Sequence, residues 1–170
     1  MINTYGTGVV HSDKVLKDLL EELETLDEPT LVVFFGDHLP YLENAYNEAG
    51  FVDKDGNYDL EDQMKLKETP IAVWNNYDKD INEVGSFSTS FLAPYIVEWA
   101  ELKMPTYYSF LQNFRENMPG YTSIVKSDAD GELYSQTPEQ MLELEQQYRI
   151  LQYDLLHGNR YLEELEGKSK

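Results

Sequence analysis

Apolar residues follow a helical period in four stretches of the chain and form two short unbroken runs. A spacing of three to four residues is typical of an amphipathic helix, whereas a short run rich in Val, Ile and Phe between chain breakers is typical of a strand. The pattern predicts strands at Leu31–Phe35 and Ile71–Trp74 and helices at residues 12–26, 95–102, 106–114 and 138–155. A hairpin is also predicted between residues 121–126 and 132–135, around the turn at Asp130-Gly131.

The first predicted helix is amphipathic and begins at Ser12. A Ser at this point is a favoured N-cap, and Asp13 in the first turn suits the positive end of the helix dipole. Pro29 follows shortly after the helix and prevents its continuation. The apolar face consists of Val15, Leu16, Leu19, Leu20, Leu23 and Leu26.

The two predicted strands place the chain in the α/β class. Leu31–Phe35 is apolar at every position, which is typical of a strand buried on both faces inside a parallel sheet. We expect this strand and Ile71–Trp74 to be neighbours or near-neighbours in one mostly parallel sheet flanked by helices. The part of the chain after residue 105 is predicted to be mainly helical.

Two later helix starts carry recognisable capping residues. Thr137 is a predicted N-cap, with Pro138 at the first helical position and Gln140 closing a capping box. The Ser- and Thr-rich stretch at residues 86–90 precedes Pro94, which suits the first turn of a helix. We expect these hydroxyls to cap the helix, with contact to a substrate as the alternative.

Asp37 and His38 follow the first strand at once, after Gly36. The carboxyl ends of strands in open α/β sheets are where ligands bind, because side chains converge there on a crevice. A carboxylate oxygen and an imidazole nitrogen together suit Zn, Mn or Mg. The structural alternative is that the two residues only form a turn or cap a helix.

Composition excludes several functions and kinds of site but says less about the fold. The chain has 170 residues with 41% hydrophobic content, which suffices for one core and one domain or part of one. Its formal charge of -19 argues against binding nucleic acid or an anionic membrane surface. The absence of cysteine excludes disulfides, thiolate nucleophiles and cysteine-based zinc sites.

The hydropathy pattern contains no membrane span and no signal peptide. We therefore expect the chain itself to be soluble, with no membrane contact required. A buried parallel strand needs neighbours, and the sequence offers only one further good candidate. This shortage predicts that the chain is a piece of a longer protein.

Two Asp-rich segments imitate calcium loops. Residues 53–57 and 128–131 both contain an Asp-Gly pair, but neither segment has the Gly that an EF-hand loop requires at position six, where Tyr58 and Leu133 stand instead. Both segments are therefore predicted to be turns without a bound ion.

Residues 30–40, with the sequence TLVVFFGDHLP, resemble the late metal-binding motif of the sulfatase and alkaline-phosphatase superfamily. The similarity is greatest to its lipoteichoic-acid-synthase-like branch of phosphoglycerol transferases. The helix at Ser12, the second strand and the Ser-rich helix start also resemble the family. Residues 151–161, LQYDLLHGNRY, resemble a terminal signature of the same branch, in which we expect Tyr153 and Leu156 to point inward and Asp154 to form a polar clasp with Arg160.

The resemblance implies that Asp37 and His38 are both ligands of a divalent metal ion. It further implies that residues 1–170 are the C-terminal portion of a sulfatase-like catalytic domain, with an α/β part at about 12–105 and a mainly helical part at 106–170. The nucleophile, a Thr in the family, and the remaining metal ligands are expected upstream of this chain, so the catalytic residues in it are unknown.

For the whole protein, the resemblance implies a membrane-anchored phosphoglycerol transferase whose catalytic domain lies on the extracellular side. The metal ion is expected to activate the nucleophile, and the reaction to pass through a covalent phosphoglyceryl-enzyme intermediate. The expected substrate is an anionic phosphoglycerol-bearing lipid or glycan, and the expected partner of this chain is the upstream remainder of the catalytic domain.

Two other functions remain open at this point. A sulfatase or phosphodiesterase hydrolase of the same superfamily would use the same metal motif with water as the acceptor. A non-catalytic acidic α/β binding module would use Gly36-Asp37-His38 only as the end of a strand. Sequence upstream of residue 1 would distinguish these classes.

Overall fold

The computed structural model describes residues 2–42, 45–52 and 57–167. The predicted turn at residues 53–57 lies almost wholly outside these residues. The helices are α1 (Ile2–Leu23), α2 (Ala45–Glu48), α3 (Leu60–Lys65), α4 (Leu92–Trp99), α5 (Thr106–Asn117), α6 (Leu142–Leu156) and α7 (Tyr161–Gly167). The strands are β1 (Leu31–Phe35), β2 (Ile71–Asn75), β3 (Gly120–Tyr121), β4 (Lys126–Ser127) and β5 (Leu133–Tyr134). The mixed α/β class is confirmed.

The chain forms two compact units, Met1–Glu83 and Val84–Lys170. In the first unit, β1 and β2 pair over their full length, with Leu31 opposite Asn75 and Phe35 opposite Ile71. The pairing is antiparallel, so the expectation of a parallel sheet is wrong for these two strands. An unbroken apolar run indicates burial but carries no information on direction, because Val, Ile and Phe pack equally well in either orientation.

The exposed fraction of β1 also differs from the expectation. Burial on both faces was predicted, but Phe34 is 47% exposed and Phe35 is 44% exposed, and the other three residues are half-buried. Pairing with β2 satisfies one edge of β1, but within the described residues no element covers Phe34 and Phe35 on its faces. The composition of β1 therefore suits a larger sheet than this chain provides.

Helix α1 begins at Ile2, so the prediction of an N-cap at Ser12 is wrong. The apolar stripe of the predicted helix continues upstream through Val9 and Tyr5, and Gly6 and Gly8 do not interrupt it. Leu16, Leu20 and Leu23 are half-buried, whereas Tyr5 and Val9 on the same stripe are 45% and 48% exposed. The N-terminal half of α1 thus presents an uncovered apolar surface.

Asn76 ties the start of β1 to the end of β2. Its side-chain oxygen accepts a hydrogen bond from the Thr30 backbone N–H at 2.7 Å, and its amide nitrogen lies 3.1 Å from the carbonyl oxygens of Leu26 and Glu28. One side chain therefore satisfies backbone groups of the α1–β1 connection and fixes where β1 begins.

The core of the second unit lies between α4, α5 and α6. The buried cluster consists of Phe91, Leu111, Phe114, Met118 and Tyr148. Phe114 is fully buried, and its ring contacts those of Phe91 and Tyr148 at 5.6 and 5.1 Å. Leu111, Phe114 and Tyr148 belong to the predicted helices and are confirmed as core, whereas Phe91 and Met118 lie outside the predicted ranges.

The predicted hairpin is confirmed at its turn, with β4 and β5 antiparallel, but its first arm is not one strand over residues 121–126: β3 and β4 lie at the two ends of that range and pair with each other. The Asp128 carboxylate accepts hydrogen bonds from the backbone N–H groups of Asp130 and Glu132, both at 3.0 Å. Gly131 has a φ of 84°, a left-handed conformation that glycine adopts at little cost. The segment is therefore a turn held by its own carboxylate, as predicted.

The capping predictions in this unit are wrong. Ser88 makes no side-chain cap; its Oγ accepts a hydrogen bond from the Tyr121 N–H at 2.6 Å and donates one to the Tyr121 carbonyl at 3.0 Å. Ahead of α6, a 3-10 turn at Glu139–Met141 intervenes and has no side-chain cap. In both places a tertiary partner replaces the local hydrogen bond that the sequence suggested.

The terminal signature forms the corner between α6 and α7. Tyr153 and Leu156 are 63% and 67% exposed, so the prediction that they point inward is wrong. Asp154 accepts a hydrogen bond from the Leu162 backbone N–H at 3.2 Å, at the start of α7. A Cβ on Gly158 would lie 2.7 Å from the Asp154 Cα, so only glycine fits in this corner.

Candidate metal site

Asp37 and His38 lie directly after β1, in a bend that both residues present to solvent. Their side chains are 84% and 77% exposed. Asp37 Oδ1 accepts a hydrogen bond from the His38 backbone N–H at 2.9 Å, and His38 Nδ1 lies 2.9 Å from the Leu39 carbonyl oxygen. These short-range hydrogen bonds leave Asp37 Oδ2 and His38 Nε2 facing each other at 3.6 Å.

The hydrogen bond of Nδ1 determines what Nε2 can do. A carbonyl oxygen only accepts, so Nδ1 must carry the proton that it donates to Leu39. In the neutral ring, Nε2 then has a free lone pair, which is the arrangement of a metal-binding histidine whose other nitrogen is oriented by a hydrogen bond.

The separation of the two free atoms fits a shared cation. Two acceptors that face each other repel unless a positive charge lies between them. Ligand bonds of about 2.0 to 2.2 Å at a tetrahedral angle separate two ligand atoms by about 3.3 to 3.6 Å. The observed 3.6 Å is compatible with this range, and in the protonated ring the same pair forms a surface ion pair instead.

The backbone on both sides of the pair is fixed by residues distant in the chain or by aromatic contacts. Thr69 Oγ1 donates to the Gly36 carbonyl at 2.7 Å, immediately before Asp37. Tyr46 Oη donates to the Pro40 carbonyl at 2.7 Å, and its ring meets that of Phe51 edge-on at 6.1 Å. The exposed bend is therefore anchored at both ends.

The pair supplies half of a metal site. Among the described residues, no group of three or more His, Asp or Glu side chains is arranged to hold an ion. A protein site of this type uses three or four ligands. Asp37 and His38 therefore fit the metal-ligand role in chemistry and spacing, and further ligands must come from elsewhere.

The two other histidines lie far from this bend in the chain. His11 is exposed on α1, and His157 ends α6, where its ring lies 5.8 Å from that of Tyr153. Neither belongs to a group of potential metal ligands within the part of the chain that the structure describes.

A polar cluster in the second unit escaped the sequence analysis. Glu145 is only 7% exposed, and its Oε1 accepts hydrogen bonds from Tyr121 Oη at 2.6 Å and from Arg149 Nη2 at 2.8 Å. Burial by itself raises the pKa of Glu145, but hydrogen bonds from Tyr121, Arg149 and Thr137 outweigh it and hold the pKa below its ordinary value. Burial and the Glu145 hydrogen bond raise the pKa of Tyr121 to about 12.

A weak sequence signal for this cluster exists. Glu145 lies three residues before the core residue Tyr148 and four before Arg149, which places it beside the apolar face of α6 and pairs it with a cation one turn later. The cluster joins α6 to β3 and has the form of a structural clasp, since the ionised Glu145 accepts hydrogen bonds from Tyr121, Arg149 and Thr137.

Comparison with known proteins identifies the family. The sulfatase family model matches residues 1–123, which include β1, the Asp37-His38 bend and β2. The chain belongs to the sulfatase family. The superfamily inferred from TLVVFFGDHLP is thereby confirmed, whereas the match does not distinguish the lipoteichoic-acid-synthase-like branch.

A Rhizobium meliloti (strain 1021) protein named for cyclic beta-1,2-glucan modification is 33% identical over 99% of this chain. The chain spans 27% of the length of that relative. No solved structure matches the chain. In the part that the structure describes, no helix of this sulfatase-family chain has the length and hydropathy of a bilayer span.

Proposed function

We propose that this chain is part of a metal-dependent enzyme of the sulfatase family that modifies a glycan, and that Asp37 and His38 hold its divalent cation. The observation that carries the proposal is the bend after β1, where Oδ2 and Nε2 face each other at 3.6 Å while the opposite ring nitrogen is hydrogen-bonded to Leu39. Such a pair is suited to Zn, Mn or Mg rather than to a purely structural turn.

The finer proposal is that the reaction transfers phosphoglycerol. The similarity of residues 30–40 and 151–161 to phosphoglycerol transferases supports it, and the name of the Rhizobium relative supports a glycan as the acceptor. A bound cation would neutralise charge on the phosphoryl group and lower the pKa of the nucleophile. Asp37 contributes a charged oxygen, and His38 a neutral nitrogen whose direction Leu39 fixes.

The remaining catalytic groups would come from the rest of a longer catalytic domain. The open faces of Phe34 and Phe35 and the uncovered stripe of α1 at Tyr5 and Val9 are apolar surfaces that such a remainder would bury. We propose that this remainder lies upstream, contains the Thr nucleophile, and is anchored in the cell membrane with the catalytic domain outside.

The charge of the chain constrains how the substrate is held. With a formal charge of -19, the chain repels an anionic phosphoglycerol lipid or glycan except where a cation intervenes. The substrate phosphate would therefore be bound through the metal and through residues of the remainder. A sulfatase or phosphodiesterase hydrolase of the same family is the competing function, since the family match is shared by both.

The longer protein that contains this chain tests the function directly. Purified protein is incubated with Mn²⁺, glycerol-labelled phosphatidylglycerol and a cyclic beta-1,2-glucan. Label on the glucan that disappears in Asp37→Ala and in His38→Ala supports the transferase. Label released only as free glycerol phosphate, or hydrolysis of an aryl sulfate, identifies a hydrolase, and unchanged transfer in both variants contradicts the metal assignment.

A matched variant distinguishes the loss of a metal ligand from the change in net charge. Asp130→Ala removes one carboxylate from the exposed tip of the turn between β4 and β5, where the backbone N–H of Asp130, and not its side chain, is bonded to Asp128. It changes the net charge by the same amount as Asp37→Ala, so its activity is expected to match that of the wild type.

A further inference from the structure

We propose that Thr69 is the positioning residue of the Asp37-His38 pair, and that its hydroxyl sets the direction in which the chain leaves β1. This inference rests on the proposed metal role of the pair. Thr69 precedes β2 and lies 33 residues from Gly36 in sequence. It reaches the bend only because β1 and β2 are antiparallel, so that the end of one strand lies beside the start of the other.

Both backbone polar groups of Gly36 are held from the β2 side. Thr69 Oγ1 donates to the Gly36 carbonyl at 2.7 Å, and the Gly36 N–H donates to the Pro70 carbonyl at 3.1 Å. The Gly36 carbonyl and the Asp37 N–H belong to one planar peptide unit. Holding that oxygen therefore fixes the plane from which the Asp37 side chain projects.

Gly36 is favoured by its close contact with Thr69 rather than by its backbone conformation. A Cβ at position 36 would lie 3.0 Å from the Thr69 Cβ and 3.4 Å from its Cγ2, and Gly36 does not have a left-handed φ. A side chain at position 36 would push Thr69 back by a few tenths of an ångström and so lengthen the short hydrogen bond. Gly36 and Thr69 thus act together: the missing side chain of Gly36 leaves room for the hydrogen bond from Thr69.

Asp37 and His38 gain no comparable restraint from their own hydrogen bonds. The recorded ones join Asp37 to His38 and His38 to Leu39, so they set the shape of the bend but not its direction from the sheet. The side chains are largely exposed and are not held by packing. The tie from Thr69 restrains the bend at the point where it leaves β1, while that from Tyr46 to the Pro40 carbonyl restrains its far end.

The test compares three variants of the chain. Thr69→Val removes the hydroxyl and keeps the shape, and Thr69→Ser keeps the hydroxyl. Thr30→Val is the matched control, because Thr30 Oγ1 also donates to a backbone carbonyl, that of Glu28 at 2.9 Å, at the opposite end of β1. Thr69→Ala provides a second variant without the hydroxyl if the valine does not fold.

The first measurement is made without metal, as backbone ¹⁵N order parameters at Asp37 and His38. We expect a fall toward the flexible range, below about 0.6, in Thr69→Val, with Thr69→Ser and Thr30→Val close to the wild type. Unchanged order parameters in Thr69→Val and Thr69→Ala, or an equal fall in Thr30→Val, would overturn the proposal. This result does not depend on whether the pair binds metal.

The second measurement is the Mn²⁺ dissociation constant, obtained from the broadening of amide signals near the bend. Thr69→Val is expected to raise it by about 3- to 10-fold, and Thr30→Val to leave it unchanged. An unchanged constant in Thr69→Val, beside loss of binding in Asp37→Ala, refutes the role of Thr69 in metal binding. If Asp37→Ala itself leaves Mn²⁺ binding intact, the proposed function fails, and the order parameters still decide whether Thr69 positions the bend.

Discussion

Tyr121→Phe removes one oxygen from the clasp around Glu145 and leaves the aromatic packing in place. The Tyr121 ring meets those of Phe114 and Tyr148 at 5.1 and 5.6 Å, contacts that phenylalanine retains. What is lost is the 2.6 Å hydrogen bond from Oη to the nearly buried Glu145 carboxylate. We therefore expect a change in the stability of the second unit with little change in its structure.

The expected magnitude follows from the charge and burial of the acceptor. A hydrogen bond to an ionised group contributes about 1.5 to 3 kcal/mol. Arg149 and Thr137 remain as donors in the variant, which places the expected loss near the lower end, at about 1.5 to 2 kcal/mol. Urea unfolding, followed by the fluorescence of the buried Trp99, measures this loss at neutral pH.

Tyr134→Phe is the matched control, because Tyr134 Oη also donates to a carboxylate, Asp128 Oδ2, at 2.8 Å. Tyr134 and Asp128 are half-buried, whereas Glu145 is only 7% exposed, so water reaches the Asp128 carboxylate more readily and the loss of stability is expected to be smaller. Equal losses in the two variants, or a loss below about 0.5 kcal/mol in Tyr121→Phe, would refute the argument that burial makes the Glu145 clasp strong.

Three further predictions concern pH, the Gly36 contact and activity. The pKa of Glu145 is lowered in the folded state, so its ionised form stabilises the fold fully above the pKa of the unfolded state. That stabilisation is lost as pH falls through the folded-state pKa. In acid denaturation below about pH 4.3, the wild type should therefore lose more stability than Glu145→Gln. Gly36→Ala should lower the unfolding free energy by about 1 to 3 kcal/mol through its contact with Thr69, and Thr69→Gly in the same chain should recover part of that loss in a double-mutant cycle. The chain alone should show neither transferase nor phosphodiesterase turnover in a labelled-lipid assay, and turnover that depends on Asp37 would place the nucleophile within it.

The sequence sufficed for the position of β1 and for the residue types of the candidate site. Pro29 and Gly36 bound an unbroken apolar run, and the observed strand has the predicted ends. The direction of its pairing with β2 was not accessible, because an apolar run looks the same in a parallel or an antiparallel ladder. Burial of Phe34 and Phe35 was predicted from their apolar side chains. Residue type indicates that a strand is suited to burial, but it does not show which elements pack against that strand.

The missed features depend on contacts between residues far apart in sequence. Thr69 reaches Gly36 across 33 residues, and Ser88 reaches Tyr121 across the same separation. A local sequence pattern predicts that such side chains cap a helix or form a turn. In the structure they bond instead to residues that are distant in sequence. Helix α1 was predicted too short for a local reason, because Ser12 followed by Asp13 is a favoured helix start, whereas the helix continues upstream through Val9 and Tyr5.

The most direct test of the central claim is to locate Mn²⁺ on the chain by paramagnetic broadening of amide signals at moderate salt, in the wild type, Asp37→Ala and Asp130→Ala. Moderate salt is needed because a formal charge of -19 attracts cations to the whole surface. The account predicts weak binding whose broadening centres on Asp37 and His38, disappears in Asp37→Ala and persists in Asp130→Ala. Broadening spread over the acidic surface and unaffected by Asp37→Ala would contradict it.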